Sequence, residues 1–260
     1  MNVTVAVVTR NREHFLPALY ESYARQIYPD TELRILDDSD RPSPFFAALQ
    51  DPRVHYRHLA ERASIGAKRN LLVQQAQGEW IGHFDDDDYY AEPYIASMLA
   101  AADGVDFVKL AAWFSFSRLS RSLTWWDTRS PDALSYWQTG DGLQAAKAEH
   151  LDQSTLQRRS ILGYGFSYFY RRNVGLAHPF PEVNFGEDYP MVEAFVRAGG
   201  LIRLKNDEQG LVLHQLHGDN SSTVSPQYRL PGFLLHRLFP GFDRYDRLLQ
   251  GNERQPPERR

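Results

Sequence analysis

The residues best suited to chemistry in this chain are four consecutive aspartates, Asp85–Asp88, which end a short apolar run, Trp80–Phe84. Adjacent carboxylates repel one another, so a strand end that gathers them calls for a counter-charge. A hard divalent cation, ligated by oxygen and shared with the phosphates of a nucleotide, would supply it. The carboxyl ends of strands in an open α/β sheet are also where ligands bind. The competing use of such a cluster is a solvated acidic loop or a helix cap. Further along, Gly186-Glu187-Asp188 precedes a helical stretch, Tyr189–Ala198, whose N-terminal dipole favours the anionic form of an acid placed there. His214 and His217 follow a short strand, and their spacing puts both imidazoles on one side only if the segment is helical or turned.

The elements that must position these groups can be read along the chain. Val3–Val8 is a continuous β-branched run expected for a parallel strand buried on both faces. It ends at a polar loop, Thr9-Arg10-Asn11-Arg12, and Glu13–Gln26 then shows helical spacing of Phe15, Leu16, Leu19 and Tyr23. Glu32–Leu36 predicts a second strand, ending in Asp37-Asp38-Ser39-Asp40, and Val54–His58 a third. A short helix is expected over Ser43–Gln50. Ser64–Gln77 predicts a stronger one, capped by Ser64 and closed by Gly78. This β-α alternation implies a parallel sheet in three layers, with two acidic loops on one edge.

Beyond Asp88 the pattern predicts a helix over Pro93–Ala102 and a strand or hairpin arm over Asp106–Phe116. Gly163–Arg171 alternates glycine with aromatics, like a strand that permits close approach, and Leu201–Leu204 and Leu211–Leu213 read as short strands. Trp125, Trp126, Tyr136 and Trp137 could stack on a sugar face or fill the core. Asn220–Thr223 reads as a flexible loop able to close over a bound group. A helix is expected near Leu230–Phe239, and the Pro/Arg-rich residues 255–260 read as disordered.

Composition narrows the function classes. The formal net charge of −4 provides no global basic field for nucleic acid. With no cysteine, any metal must be held by oxygen or imidazole, and disulfides are excluded. The first residues lack a basic region and a cleavage site of the secretory kind, and no window is apolar enough to span a bilayer. These features lead to the expectation of a soluble, cytoplasmic protein.

Taken in order, VAVVTRNR, LRILDDSD, GAKRN, GEWIGHFDDDD and GED before a helix resemble a family 2 inverting glycosyltransferase of the GT-A fold, over Val3 to His217. The resemblance implies an α/β three-layer sandwich with a mainly parallel central sheet and a C-terminal acceptor-side region. It divides the chain into a nucleotide-sugar-binding half (1–104), an acceptor-binding and catalytic half (105–225) and a C-terminal helix with a tail (226–260). Thr9, Arg10 and Asn11 then fall near the nucleotide base and ribose, and Asp38 where a carboxylate accepts from the uracil ring N–H. Arg69 falls near the base or diphosphate, whereas its neighbour Lys68 is expected in solvent. Asp85 and Asp86 are placed near the ribose and the metal's surroundings, and Asp87 as the ligand of Mn2+ or Mg2+, with the register open to Asp88. Asp188 matches the general base and Glu187 an acceptor contact, and His214 or His217, with His214 favoured, matches a further metal or diphosphate contact.

The implied donor is a nucleotide-diphosphate sugar, UDP-linked by the Asp38 argument, and the acceptor a glycan, a lipid-linked intermediate or a small molecule. Two other readings stay open: a metal-dependent sugar nucleotidyltransferase, disfavoured because the first loop holds no glycine, and a catalytically inactive nucleotide-sugar or glycan-binding module. The apolar residues around Leu230–Phe239 suggest either a packing helix or a peripheral contact with a membrane.

Overall fold

A computed structural model of the chain describes residues 2–130, 135–139, 142–145, 153–218, 220, 223–224 and 228–253. Its first part follows the alternation in the sequence: β1 (Val3–Thr9), α1 (Leu16–Ala24), β2 (Thr31–Asp37), α2 (Pro44–Ala48), β3 (Val54–His58), α3 (Ile65–Gln75) and β4 (Trp80–His83). β1 pairs in parallel with β2 and β4, and β2 with β3. Val3, Val5 and Val7 enter one apolar cluster with Leu16, Leu19 and Tyr94, while Ala6 enters another with Leu72, Val73 and Met191. Successive side chains of a strand point to opposite faces, so β1 is buried by helices on both sides.

The second part contains β5 (Tyr89–Tyr90), α4 (Tyr94–Ala101), the hairpin β6 (Phe107–Ser117) and β7 (Ser122–Asp127), β8 (Ser135–Thr139), β9 (Gly142–Ala145) and α5 (Gln153–Leu162). It continues through β10 (Phe169–Arg171), α6 (Arg172–Ala177), α7 (Asp188–Arg197), β11 (Ile202–Asn206), β12 (Val212–Leu216), β13 (Thr223–Val224), β14 (Tyr228–Leu230), α8 (Leu234–Leu238) and α9 (Phe242–Glu253). β10 lies antiparallel between β4 and β6 and joins the parallel half to the rest. β12 runs parallel to β6 and antiparallel to β5, which carries His214 and Gln215 back toward the aspartates.

Several expectations are corrected. α3 is capped by the Ser64 hydroxyl, which accepts from Ala67 N, but it ends at Gln75 rather than at Gly78. Gly78 instead packs against β1, donating its N–H to Thr4 Oγ1 at 2.9 Å. Only Phe169–Arg171 of the glycine–aromatic stretch is a strand. Gly165–Ser167 forms a 3-10 turn, because Tyr164 before it is left-handed at φ 69°. The tail holds a second helix, α9, and Leu235, Phe239, Phe242, Tyr245 and Leu249 are buried in one cluster, so the apolar face of the tail packs inward. Trp126 is likewise core, whereas Trp125 is partly buried against Phe114. Tyr136 and Trp137 lie in β8, and their side chains, like residues 255–260, fall outside the described set. Among the described residues no helix is long and apolar enough to cross a membrane.

Candidate active site

The parallel register of β1 and β4 builds the site. Val3 stands beside Trp80 and Ala6 beside His83, so the same offset carried forward brings Thr9 to Asp86. The side chains confirm it: Thr9 Oγ1 donates to Asp86 Oδ2 at 2.6 Å. Arg12, three residues on, reaches Asp86 Oδ1 at 2.8 Å and Asp87 Oδ2 at 2.6 Å through Nη1.

All four aspartates are held in place differently. Asp88, fully buried, accepts from Gln215 N at 2.8 Å and faces His214 Nδ1 at 2.9 Å. Asp87 accepts from His217 Nε2 at 3.1 Å as well as from Arg12. Asp85 lies 3.6 Å from Arg69 Nη2. Burial pushes the Asp85 carboxyl up to about 7, against Arg69 and with the other three aspartates adding to it. Burial likewise raises Asp86, to about 6 against the Arg12 charge, and raises Asp88 against His214. Burial would push Asp87 up too, but the His217 hydrogen bond and Arg12 outweigh it and hold this carboxyl at about 2. Burial opposes protonation of His214, yet Asp88 lifts the ring to about 9, so it is cationic at neutral pH.

Ligand oxygens of Asp85, Asp87 and Asp88 lie within 4.8 Å of one another, and no other such group of acids and histidines occurs among the described residues. Three hard oxygen donors, two of them raised by burial with their neighbouring carboxylates adding to it, fit a divalent cation of the Mg2+ or Mn2+ kind. Asp86 and His214 do not belong to this group; Asp86 meets it through Arg12, and His214 bonds its member Asp88 directly.

Arg69 joins the aspartates to the second pair of acids. It is 5% exposed, and its guanidinium stands 3.6 Å from both Asp85 and Glu187. Gly165 makes room for it: a Cβ there would stand 2.2 Å from Arg69 Nη1. This is the close approach expected of the glycine–aromatic stretch. Glu187 is buried and raised by that burial against the pull of Arg69. Asp188 opens α7 and accepts from Gly165 N at 3.1 Å and Tyr189 N at 2.7 Å.

At the neighbouring strand end Asp38 is 4% exposed and already engaged. Its Oδ2 accepts from Ala63 N at 3.1 Å, and its Oδ1 pairs with Lys68 Nζ at 2.5 Å. Lys68 is therefore buried, not in solvent, because it also donates to Thr9 O and ties two strand ends together. Asn11, left-handed at φ 53°, bridges the β1 and β2 loops through Ser39 and Asp40. Arg10 is half-buried, and its Nε has no hydrogen-bond partner among the described residues.

Other contributors carry little local signal. Asn220 is fixed rather than loose: its side chain bonds His217 N, Gln215 O and, at 3.5 Å, Asp87 Oδ2. The Tyr245 hydroxyl, on α9, donates to Asp87 O at 2.8 Å. Arg12, Asn220 and Tyr245 are ordinary polar residues in the sequence, and the fold alone brings them to the cluster, whereas His217, expected as the alternative to His214, reaches Asp87.

A sheet with this order and acidic residues at the carboxyl ends of its parallel strands defines the GT-A fold. The chain belongs to glycosyl transferase family 2, whose model matches residues 4–173. WcaA of Escherichia coli (strain K12), named for colanic acid biosynthesis, is 31% identical over 102 residues, 38% of this chain and 37% of its own length. The uncharacterized glycosyltransferase YwdF of Bacillus subtilis (strain 168) is 30% identical over 109 residues, 42% of this chain and 41% of its own length. The similarity thus spans less than half of these relatives. Among solved structures, Staphylococcus aureus TarS in complex with UDP-GlcNAc superposes with a TM-score of 0.62 at 19% identity, covering 85% of this chain and 60% of that one. A mannosyltransferase of Pyrobaculum calidifontis in complex with GDP-Man and Mn2+ gives 0.59 at 16% identity, covering 85% and 58%. At these identities the likeness speaks to fold alone.

Proposed function

We propose that this chain is a metal-dependent inverting glycosyltransferase that moves a sugar from a nucleotide-diphosphate donor to an acceptor hydroxyl. The observation that carries the reading is the placement of Arg69 between Asp85 of the carboxylate group and Glu187 of the second acid pair. A cation site and a candidate base thereby share one crevice, as single displacement at a sugar carbon requires. Asp85, Asp87 and Asp88 would hold Mn2+ or Mg2+, which supplies Lewis-acid stabilisation of the departing diphosphate when bound. Arg69, boxed in by Gly165, offers a fixed positive charge beside that leaving group, the preorganised electrostatics that usually dominate such steps.

Asp188 takes the proton from the attacking acceptor hydroxyl. Its two backbone N–H partners orient the carboxylate, and Glu187 contacts the acceptor. Thr9, Arg10 and Asn11 shape the nucleotide side, and Asp38 accepts from a base N–H, which favours UDP. His214 steadies Asp88. TarS was solved with UDP-GlcNAc and the Pyrobaculum enzyme with GDP-Man, so both donor types are compatible with the fold. The acceptor is a glycan, a lipid-linked intermediate or a small molecule. The protein is placed in the cytoplasm, and any peripheral contact of the C-terminal region with a membrane falls to Phe233, which is 69% exposed.

Calorimetric titration of UDP, GDP, dTDP and ADP, with and without Mn2+, into wild type and Asp87→Ala tests the donor and the metal together. Tight Mn2+-dependent binding of UDP alone, weakened in the variant, is expected. Asp188→Asn should retain that binding and lose donor turnover. Binding of GDP or dTDP instead would overturn the role of Asp38, and no diphosphate binding under any condition would overturn the transferase reading.

A further inference from the structure

Arg12 occupies an unusual position for a loop arginine. Its Nη1 alone touches two carboxylates, Asp86 and Asp87, and its side chain keeps 21% exposure at the edge of the cluster. The left-handed turn at Asn11 aims it there. Asp87 Oδ2 therefore receives three donors: Arg12 at 2.6 Å, His217 at 3.1 Å and Asn220 at 3.5 Å. A carboxylate oxygen offers about two lone-pair sites, so this atom is saturated. Asp87 is also one of the three acids whose oxygens converge. A guanidinium and a divalent cation on the same carboxylate repel each other, and at such separations that repulsion is large even when partly screened.

We infer that Arg12 is a resident counter-ion of the aspartate cluster, exchanged for a divalent cation when a diphosphate arrives to receive the guanidinium. The inference rests on the metal and diphosphate reading above and adds to it a mechanism of coupling. With no ligand present, Arg12 neutralises Asp86 and Asp87 and holds down the affinity for a free cation. A diphosphate gives the planar guanidinium a new partner of matching geometry, to which arginine binds with two parallel hydrogen bonds. Asp87 is then released to the cation. Each ligand strengthens the other by the same factor, as linkage demands. A site built this way stays unloaded in free divalent cation and fills only with the donor.

The test is titration of Mn2+ alone, followed by calorimetry and by the loss of the free-ion paramagnetic resonance signal, into wild type, Arg12→Gln and Arg12→Lys. Each is repeated with saturating UDP, and circular dichroism checks folding. Arg12→Gln should bind Mn2+ alone several-fold tighter than wild type, bind UDP more weakly in the presence of Mn2+, and show a smaller gain in Mn2+ affinity on adding UDP. Arg12→Lys keeps a positive charge beside the two carboxylates but offers a diphosphate no planar fork, so it should hold Mn2+ affinity near that of wild type and show a smaller gain on adding UDP. An Arg12→Gln protein that binds Mn2+ alone no tighter than wild type overturns the inference while leaving the transferase reading intact. If Arg12→Gln does not fold, Arg12→Lys decides, and a gain in Mn2+ affinity on adding UDP equal to that of wild type overturns it. Wild type that takes up neither Mn2+ nor UDP overturns both.

Discussion

Lys68 Nζ stands 2.5 Å from Asp38 Oδ1 with both side chains almost fully buried, so the carboxylate matched to base recognition is one half of an ion pair. Removing one partner of such a pair leaves an uncompensated charge, which costs about 3–5 kcal/mol. Lys68→Met should therefore destabilise the fold by roughly that amount in urea unfolding. If Asp38 also reads the base, the variant loses discrimination between UDP and GDP. Unfolding within error of wild type would show that the pair contributes nothing.

The aspartate cluster makes the metal-free protein sensitive to pH. Asp85 at about 7 and Asp86 at about 6 both exceed the ordinary 3.8. Between these limits the native state holds protons that the unfolded chain has released, so stability falls as pH rises through the window. His214, raised from 6.5 to about 9, acts in the same direction over its own interval: its stabilisation is complete below 6.5 and is lost as pH climbs through 9. Thermal melts without metal should show a midpoint that declines from pH 5 to 7, with Asp207, raised to about 6, adding to the fall. The lowered His83 opposes it below 6.5, and Lys109, lowered to about 7, opposes it above 7. Mn2+ should flatten that decline and bind more tightly toward pH 7, because ligation displaces protons. A melting midpoint that rises over this range without metal would contradict the assignment.

Gly66 sits in the first turn of α3 with its N–H on Val183 O at 3.1 Å. A Cβ there would stand 1.8 Å from Pro181 O, a backbone atom that cannot swing aside. Gly66→Ala should push the 181–187 loop outward, at a cost of about 1–3 kcal/mol from overpacking. Since that loop leads into Glu187 and Asp188, donor turnover should fall further than UDP affinity. Equal loss of both would place the strain elsewhere.

Tyr245 tests the contribution of the C-terminal helix. Its hydroxyl is the donor to Asp87 O, and the ring is 1% exposed. Tyr245→Phe keeps the packing and strands that carbonyl, which should cost about 1–3 kcal/mol and loosen the aspartate loop. A weaker Mn2+–UDP complex together with a lower melting midpoint is expected. A change in neither would make α9 mere packing.

The layered α/β half and the two acidic strand ends were legible in the chain because burial period and residue type are local properties. A β-branched run such as Val3–Val8 has few other stable arrangements, and the bounds of β3 match those predicted. The helix α9 was missed although Phe242, Tyr245 and Leu249 recur at helical spacing, because charged residues surround them. Lys68 was assigned to solvent since nothing in GAKRN marks a lysine that will meet an aspartate 30 positions away.

Residue order alone therefore sufficed for the kind of chemistry available at each strand end, for the family and for the layer architecture. It did not decide which three of the four aspartates converge, nor that Arg12, His214 and His217 balance them. The partners of Asp87 lie 75, 130, 133 and 158 positions away, at Arg12, His217, Asn220 and Tyr245. Pairings across such distances are made by the parallel register of β1 and β4 and by the return of the C-terminal segment onto the sheet. Only the folded chain brings those charges close enough for Coulomb's law to act between them.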